Sequence, residues 1–223
     1  MRAWIRPALL GAATFALATL LLKPLAHLAI GAPASGALFV LGGALIAGLS
    51  EELARAGAFR WGRFWQADAA HRAFAFAAGY ALAELVLVGV LAPIQLMQLA
   101  QQPDLVAALP EAQREPLERQ IAALGAFTPL WLLIERTSAV VAQMGFGWLV
   151  WQAVMRRRPA WIASAVALHA ALDVPAAGFQ SGWWPLWAVE TVYLAGALLA
   201  GPAVVRAWLA ALTPGPAPAT TSG

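Results

Sequence analysis

Along this chain long apolar runs alternate with short polar breaks. The runs cover about residues 7–30, 36–59, 72–98, 127–155, 159–178 and 183–209. A helix needs roughly 20 apolar residues to cross a hydrocarbon core. The expected fold is therefore all-α: a polytopic membrane helix bundle of about six transmembrane helices, read as a single transmembrane domain over residues 1–212. The first run, behind Arg2 and Arg6 and followed by small residues, also fits a signal peptide. Its length and the late Lys23 favour a span. The stretch 101–120 is polar and holds Pro103, Pro110 and Pro116. It reads as a loop with one short surface helix carrying Glu115 and Arg119 at i,i+4 spacing. The tail 213–223 contains only Pro, Ala, Thr, Ser and Gly, a composition expected to be disordered.

Composition agrees with the pattern. Hydrophobic residues make up 61% of the chain and charged ones 11%, less than half the usual globular share. A soluble domain with this balance could not cover its surface with polar groups. A bilayer core is as apolar as the side chains that face it. The absence of cysteine rules out disulfides and thiolate metal sites. The net charge of +3 reports orientation in such a chain rather than nucleic-acid binding. Arg2, Arg6, Arg60, Arg63, Arg72, Arg156, Arg157, Arg158 and Arg206 fall on one side of a six-span arrangement. Arg114 and Arg119 fall on the other, among Asp104, Glu111, Glu115 and Glu118. Both termini are expected in the cytoplasm. Trp4, Trp61, Trp65, Trp161 and Trp208 then fall near the inner interface, and Trp131, Trp183 and Trp184 near the outer one. The abundant Arg and Ala point to a bacterial source, and the expected location is the inner, cytoplasmic membrane. Membrane lipid is an expected partner; nucleic acid is not.

The informative residues are the charges inside the spans: Glu51, Glu52 and Arg55; Glu84; Glu135 and Arg136; His169 and Asp173; and Glu190. Each costs about 2.5–3.5 kcal/mol at mid-membrane, so unpaired they would cost on the order of 25 kcal/mol together. A folded chain is stable by only about 5–15 kcal/mol. These groups must face one another or water. Their depths agree. At 1.5 Å per residue, Glu51 lies about 14 Å, His169 about 16 Å and Glu84 about 18 Å from the inner interface. Glu135 lies about 12 Å from the outer one. Four helices thus carry polar groups to one level. Glu51 and Arg55 are i,i+4, as are His169 and Asp173, so each pair shares a face. Arg136 and Gln143 lie two turns apart along one face. Glu190 fits least and reads as a separate contact. His27 and His71 sit near span ends and read as interface residues.

Read in order, the spans contain Ser50-Glu51-Glu52-Leu53-Ala54-Arg55, Gly79-Tyr80-Ala81-Leu82-Ala83-Glu84, Ile134-Glu135-Arg136-Thr137-Ser138-Ala139 followed by Gln143, and Ala167-Leu168-His169-Ala170-Ala171-Leu172-Asp173-Val174-Pro175. This succession resembles the YhfC-type intramembrane peptidases, related to the CAAX-processing, bacteriocin-processing and PrsW-type membrane proteases. The resemblance covers about residues 48–177. It implies hydrolysis of a peptide bond within the membrane, with a transmembrane or membrane-associated protein as substrate. It matches Glu51 and Glu52 to the family's glutamate pair, and His169 and Asp173 to its last motif. Glu84, Glu135 and Arg136 match the intervening motifs. It also implies histidines where Tyr80 and Gln143 stand. With His169 remaining of the three, the expectation is a glutamic-type centre without a cofactor. A divalent metal such as zinc stays open, although it would need several carboxylates beside a single His. Glu51 is expected as general base, Glu52 to share its proton, His169 to hold the water or donate to the oxyanion, Asp173 to fix the histidine tautomer, and Arg55 to balance charge. Two other readings stand beside this one: an inactive membrane scaffold of the same fold, and a small proton or cation transporter using the buried carboxylates.

Overall fold

The computed structural model of the chain describes residues 2–30, 36–61 and 69–213. Among these residues there is no strand, and six helices are long and apolar enough to cross a membrane. The first, α1, runs Arg2–Leu17, widens into a π-helical stretch at Ala18–Leu22 and resumes as Lys23–Ile30. Helix α2 is Gly36–Trp61. Helix α3 runs Ala69–Glu84, passes through a second π stretch at Leu85–Leu91 and ends as Ala92–Ala100. Two short helices follow, α4 (Pro103–Ala107) and α5 (Glu111–Ala122). The last three spans are α6 (Thr128–Met155), α7 (Pro159–Gln180) and α8 (Leu186–Leu212). Residues 31–35, Arg63, Trp65 and the tail from 214 onward lie outside the described residues, and with them the expected disorder of the tail.

The π stretches have a local cause. Each ends shortly before a proline, Pro24 or Pro93. Proline donates no N–H and its ring crowds the carbonyl four residues back. The chain widens instead: the N–H of Lys23 bonds to the Ala18 carbonyl, and that of Ala92 to the Leu87 carbonyl. Such bulges re-aim the residues that follow them.

Two expectations change at the loops. The polar segment 101–120 holds two helices rather than a loop with one, because Pro103 and Pro110 stand at helix starts, where a missing N–H costs nothing. Arg119 pairs with Glu115 at 3.8 Å and donates from Nε and Nη2 to the Gln180 carbonyl at 2.9 and 2.6 Å, which ties α5 to the end of α7. The sixth span, α8, starts at Leu186 instead of near Trp183. Gly182 turns with φ +76° and Pro185 is extended, with ψ 151°.

Close packing sets the helices in place. A Cβ on Gly11 would lie 2.0 Å from the Phe76 carbonyl oxygen, and one on Gly79 equally close to that of Ala8. Helices α1 and α3 therefore meet backbone to backbone, the small-residue contact of membrane bundles. Phe15, Phe59, Phe76, Tyr80, Val150, Trp151 and Trp208 form a buried apolar cluster joining α1, α2, α3, α6 and α8. Leu9, Leu38, Leu133 and Leu199 point outward and are well exposed, as a lipid-facing surface requires. Beside the apolar cluster a cavity of about 980 Å³ opens between all six spans.

Candidate active site

Helix α2 supplies the centre. Glu51, Glu52 and Arg55 are buried on its inner face. The pairing differs from the i,i+4 expectation: Arg55 Nη1 lies 3.3 Å from Glu52 Oε2, its i,i+3 neighbour. Arg55 Nη2 donates to Gln143 Oε1 on α6, and its guanidinium lies 4.0 Å above the Tyr80 ring on α3. Glu51 is held from three other helices. Tyr80 Oη donates to its Oε2 at 2.9 Å, Gln143 Nε2 donates to the same oxygen at 3.3 Å, and Lys23 Nζ lies 2.5 Å from Oε1. Tyr80 and Gln143, which stand where the resemblance implies histidines, are thus both in the centre as hydrogen-bond partners of Glu51.

The imidazole comes from α7. Gly48 allows this approach: a Cβ there would lie 2.7 Å from the Val166 carbonyl oxygen and 3.5 Å from His169 Cβ. His169 Nδ1 lies 2.7 Å from Glu52 Oε1. This is the shortest polar contact of the imidazole. Nε2 faces Glu51 Oε1 at 3.8 Å and Asp173 Oδ2 at 3.7 Å, both too long for a direct hydrogen bond. Glu52, rather than Asp173, is the carboxyl group within hydrogen-bond reach of the imidazole. The i,i+4 rule put Asp173 on the right face, but a partner on another helix makes the shorter contact. Phe146 stacks on the imidazole with ring centroids 4.9 Å apart and planes 6° apart, which fixes the ring's plane.

Glu84, Glu135 and Arg136 form a second ionic group on the same cavity. Arg136 Nη2 donates to Glu135, and Nη1 lies 3.8 Å from Glu84 Oε1. Glu190 is buried on α8 and interacts electrostatically with Glu135 and Arg136, so it joins this group. Of the two histidines read as interface residues, His71 meets Trp4 edge-on at 5.7 Å, whereas His27 lines the cavity.

Lys23 is the site residue that the sequence reading missed. It served there only to distinguish a span from a signal peptide. A lysine within an apolar run is a signal in its own right, because its charge needs a partner at that depth.

The sequence profile of the YhfC intramembrane metalloprotease family matches residues 2–194. The chain is also 32% identical over 158 residues to the "Uncharacterized membrane protein YhfC" of Bacillus subtilis (strain 168). That alignment covers 63% of this chain and 57% of the relative, so the chain spans little more than half the length of the relative it matches. No solved structure matches it.

The family's description names a metal, which the donors of this centre can be tested against. Zinc takes nitrogen and oxygen ligands at about 2.0–2.2 Å. Among the described residues, no three His, Asp or Glu side chains converge closely enough to hold such an ion. The Nδ1 of His169 is on Glu52, and the Glu51 oxygen that faces the imidazole is on the Lys23 ammonium. A divalent ion about 4 Å from an ammonium is repelled by about 8 kcal/mol at an effective dielectric of about 20. The residues as arranged do not fit a resident metal.

Proposed function

We propose that this chain, which belongs to the YhfC intramembrane metalloprotease family, hydrolyses a peptide bond of a transmembrane or membrane-associated protein at the centre formed by Glu51, Glu52 and His169. The observation that carries this reading is the meeting of a buried glutamate pair with a buried imidazole, of which Glu51 and His169 line one cavity between the spans. At about 980 Å³ the cavity is at the upper end of the roughly 300–1,000 Å³ typical of ligand pockets. It accommodates a locally unwound stretch of substrate, whose carbonyls a helix would otherwise shield.

The geometry supports the following roles. Glu52 accepts the Nδ1 proton of His169, which leaves the Nε2 lone pair facing Glu51 Oε1 across 3.8 Å. A water bridging these two atoms from the cavity side donates one O–H to Nε2 and the other to Glu51 Oε1. Glu51 is the general base. It takes the second proton as the water oxygen bonds to the carbonyl carbon, and the carbonyl electron pair moves onto oxygen. When the tetrahedral intermediate collapses, the C–N bond breaks and the leaving amine receives the proton from Glu51. Tyr80 and Gln143 keep Glu51 from rotating, and Arg55 neutralises Glu52. Asp173, with 36% of its side chain exposed beside Nε2, faces the cavity and contacts substrate. Glu84, Glu135 and Arg136 shape the cavity wall beyond.

Cleavage of a quenched-fluorescent casein by the detergent-purified protein tests this. Glu51→Gln and His169→Ala should each lower kcat by about 10²–10⁴-fold, the usual contribution of general base catalysis, with Glu52→Gln also impaired. Undiminished cleavage by either of the first two would remove that residue from the mechanism.

A further inference from the structure

We infer that Lys23 is the electrophilic cation of this centre: its ammonium holds Glu51 where a metal ion would otherwise bind, and donates to the oxygen of the attacked carbonyl. The inference rests on the proteolytic reading above and extends it to a residue on α1.

Lys23 directly follows the π stretch Ala18–Leu22, and Thr19, Lys23 and His27 line the cavity at i, i+4 and i+8, one face of the helix. Its Nζ lies 2.5 Å from Glu51 Oε1. An ammonium has three donors, so further N–H groups remain beyond that contact, and 23% of the side chain is exposed next to the cavity. The glutamate pair also divides its cations: Glu52 has Arg55, and Glu51 has Lys23. Arg55 is completely buried beneath the centre and stacked on Tyr80, so it cannot touch substrate. Arg136 lines the cavity but is engaged by Glu135 and Glu84. Among the described residues, Lys23 is therefore the cation at the catalytic carboxylate that also opens onto the cavity.

The chemistry balances without a metal. As water adds to the carbonyl, the electron pair displaced onto oxygen meets the ammonium, which keeps its proton throughout. Glu51 carries the water's proton to the leaving amine. His169 and Glu52 orient the water, and Lys23 supplies the stabilising donor that the oxyanion needs, a role that contributes about 10²–10³-fold in kcat in other hydrolases.

The chain has no cysteine, so Lys23→Cys creates a single thiol. In detergent that thiol is alkylated either with 2-bromoethylamine, which restores an ammonium on a side chain of lysine's length, or with iodoacetamide, which leaves a neutral amide of similar size. Lys23→Cys should lose about 10²–10³-fold in kcat with KM little changed. Aminoethylation should recover most of that loss, and carbamidomethylation none. Equal recovery with both reagents, or full activity of the unmodified variant, overturns the inference. A second measurement does not depend on activity. After dialysis against zinc and desalting, the parent protein should carry no stoichiometric zinc by mass spectrometry. A stoichiometric zinc that His169→Ala loses overturns the assignment of Lys23 while leaving proteolysis standing. A parent that binds no zinc and cuts nothing overturns the proteolytic reading instead.

Discussion

Tyr80 shows how much one side chain settles at this centre. Its hydroxyl donates to Glu51 at 2.9 Å while its ring lies beneath the Arg55 guanidinium. Tyr80→Phe keeps the ring and the cation contact and deletes the donor. A hydrogen bond to a charged group contributes about 1.5–3 kcal/mol, so kcat should fall by about 10–100-fold with KM nearly constant, as steady-state cleavage would show. An unchanged kcat would mean that Glu51 does not depend on this anchor. Residue identity told less about pairing. The i,i+4 spacing of Glu51 and Arg55 was legible, yet Arg55 bonds Glu52, and Glu51 bonds Lys23 from another helix. Spacing gives the face a side chain shares. It cannot say which of two adjacent carboxylates a flexible cation reaches.

At the scale of elements, glycines and prolines place the chemistry. Gly48 lets α7 approach α2 closely enough for His169 to reach Glu52. Gly48→Ala would put a Cβ 2.7 Å from the Val166 carbonyl oxygen, a backbone atom that can yield only if α7 moves. Overpacking of this kind costs about 1–3 kcal/mol. The variant should melt at a lower temperature in detergent and cleave more slowly, because His169 moves with its helix. Gly57→Ala is the control: its Cβ meets nothing within 4 Å, and a helical Gly→Ala change favours the helix. If both variants melt like the parent, the contact between α2 and α7 is not the constraint described. Pro24 acts differently. By forcing the π stretch before it, it sets the direction in which Lys23 leaves α1. Both signals are visible in the sequence as single letters, but neither states its partner.

For the whole molecule, the distribution of basic residues leads us to propose that both ends of the bundle face the cytoplasm and that α4 and α5 lie outside. With no native cysteine, single cysteines report this directly. In intact cells, Gln113→Cys should react with a membrane-impermeant maleimide, and Thr213→Cys should react only after the membrane is opened. The reverse pattern would invert the orientation. Helix α1 belongs to the same packed unit. It packs backbone to backbone against α3 and delivers Lys23 to Glu51, so a chain lacking this helix would lose both the contact and the cation.

The sequence by itself determined the class of the protein and the helix faces that its buried charges share. Apolar runs of this length have one hydrogen-bonded form available in lipid, the helix, and charges placed along such runs must converge because hydrocarbon offers them no other partner. The family resemblance was likewise legible, since the motifs around Glu51, Tyr80, Glu135 and His169 occur in order along the chain. What only the tertiary structure decided is the wiring: Glu52 on His169, Tyr80 and Gln143 on Glu51, and Lys23 beside them. Those contacts depend on how six helices rotate and approach one another, which is set by backbone contacts at Gly11, Gly48 and Gly79 and by the widened turns before Pro24 and Pro93. A one-dimensional pattern records a residue's face and depth; the partner across the interface is fixed only when the helices are packed.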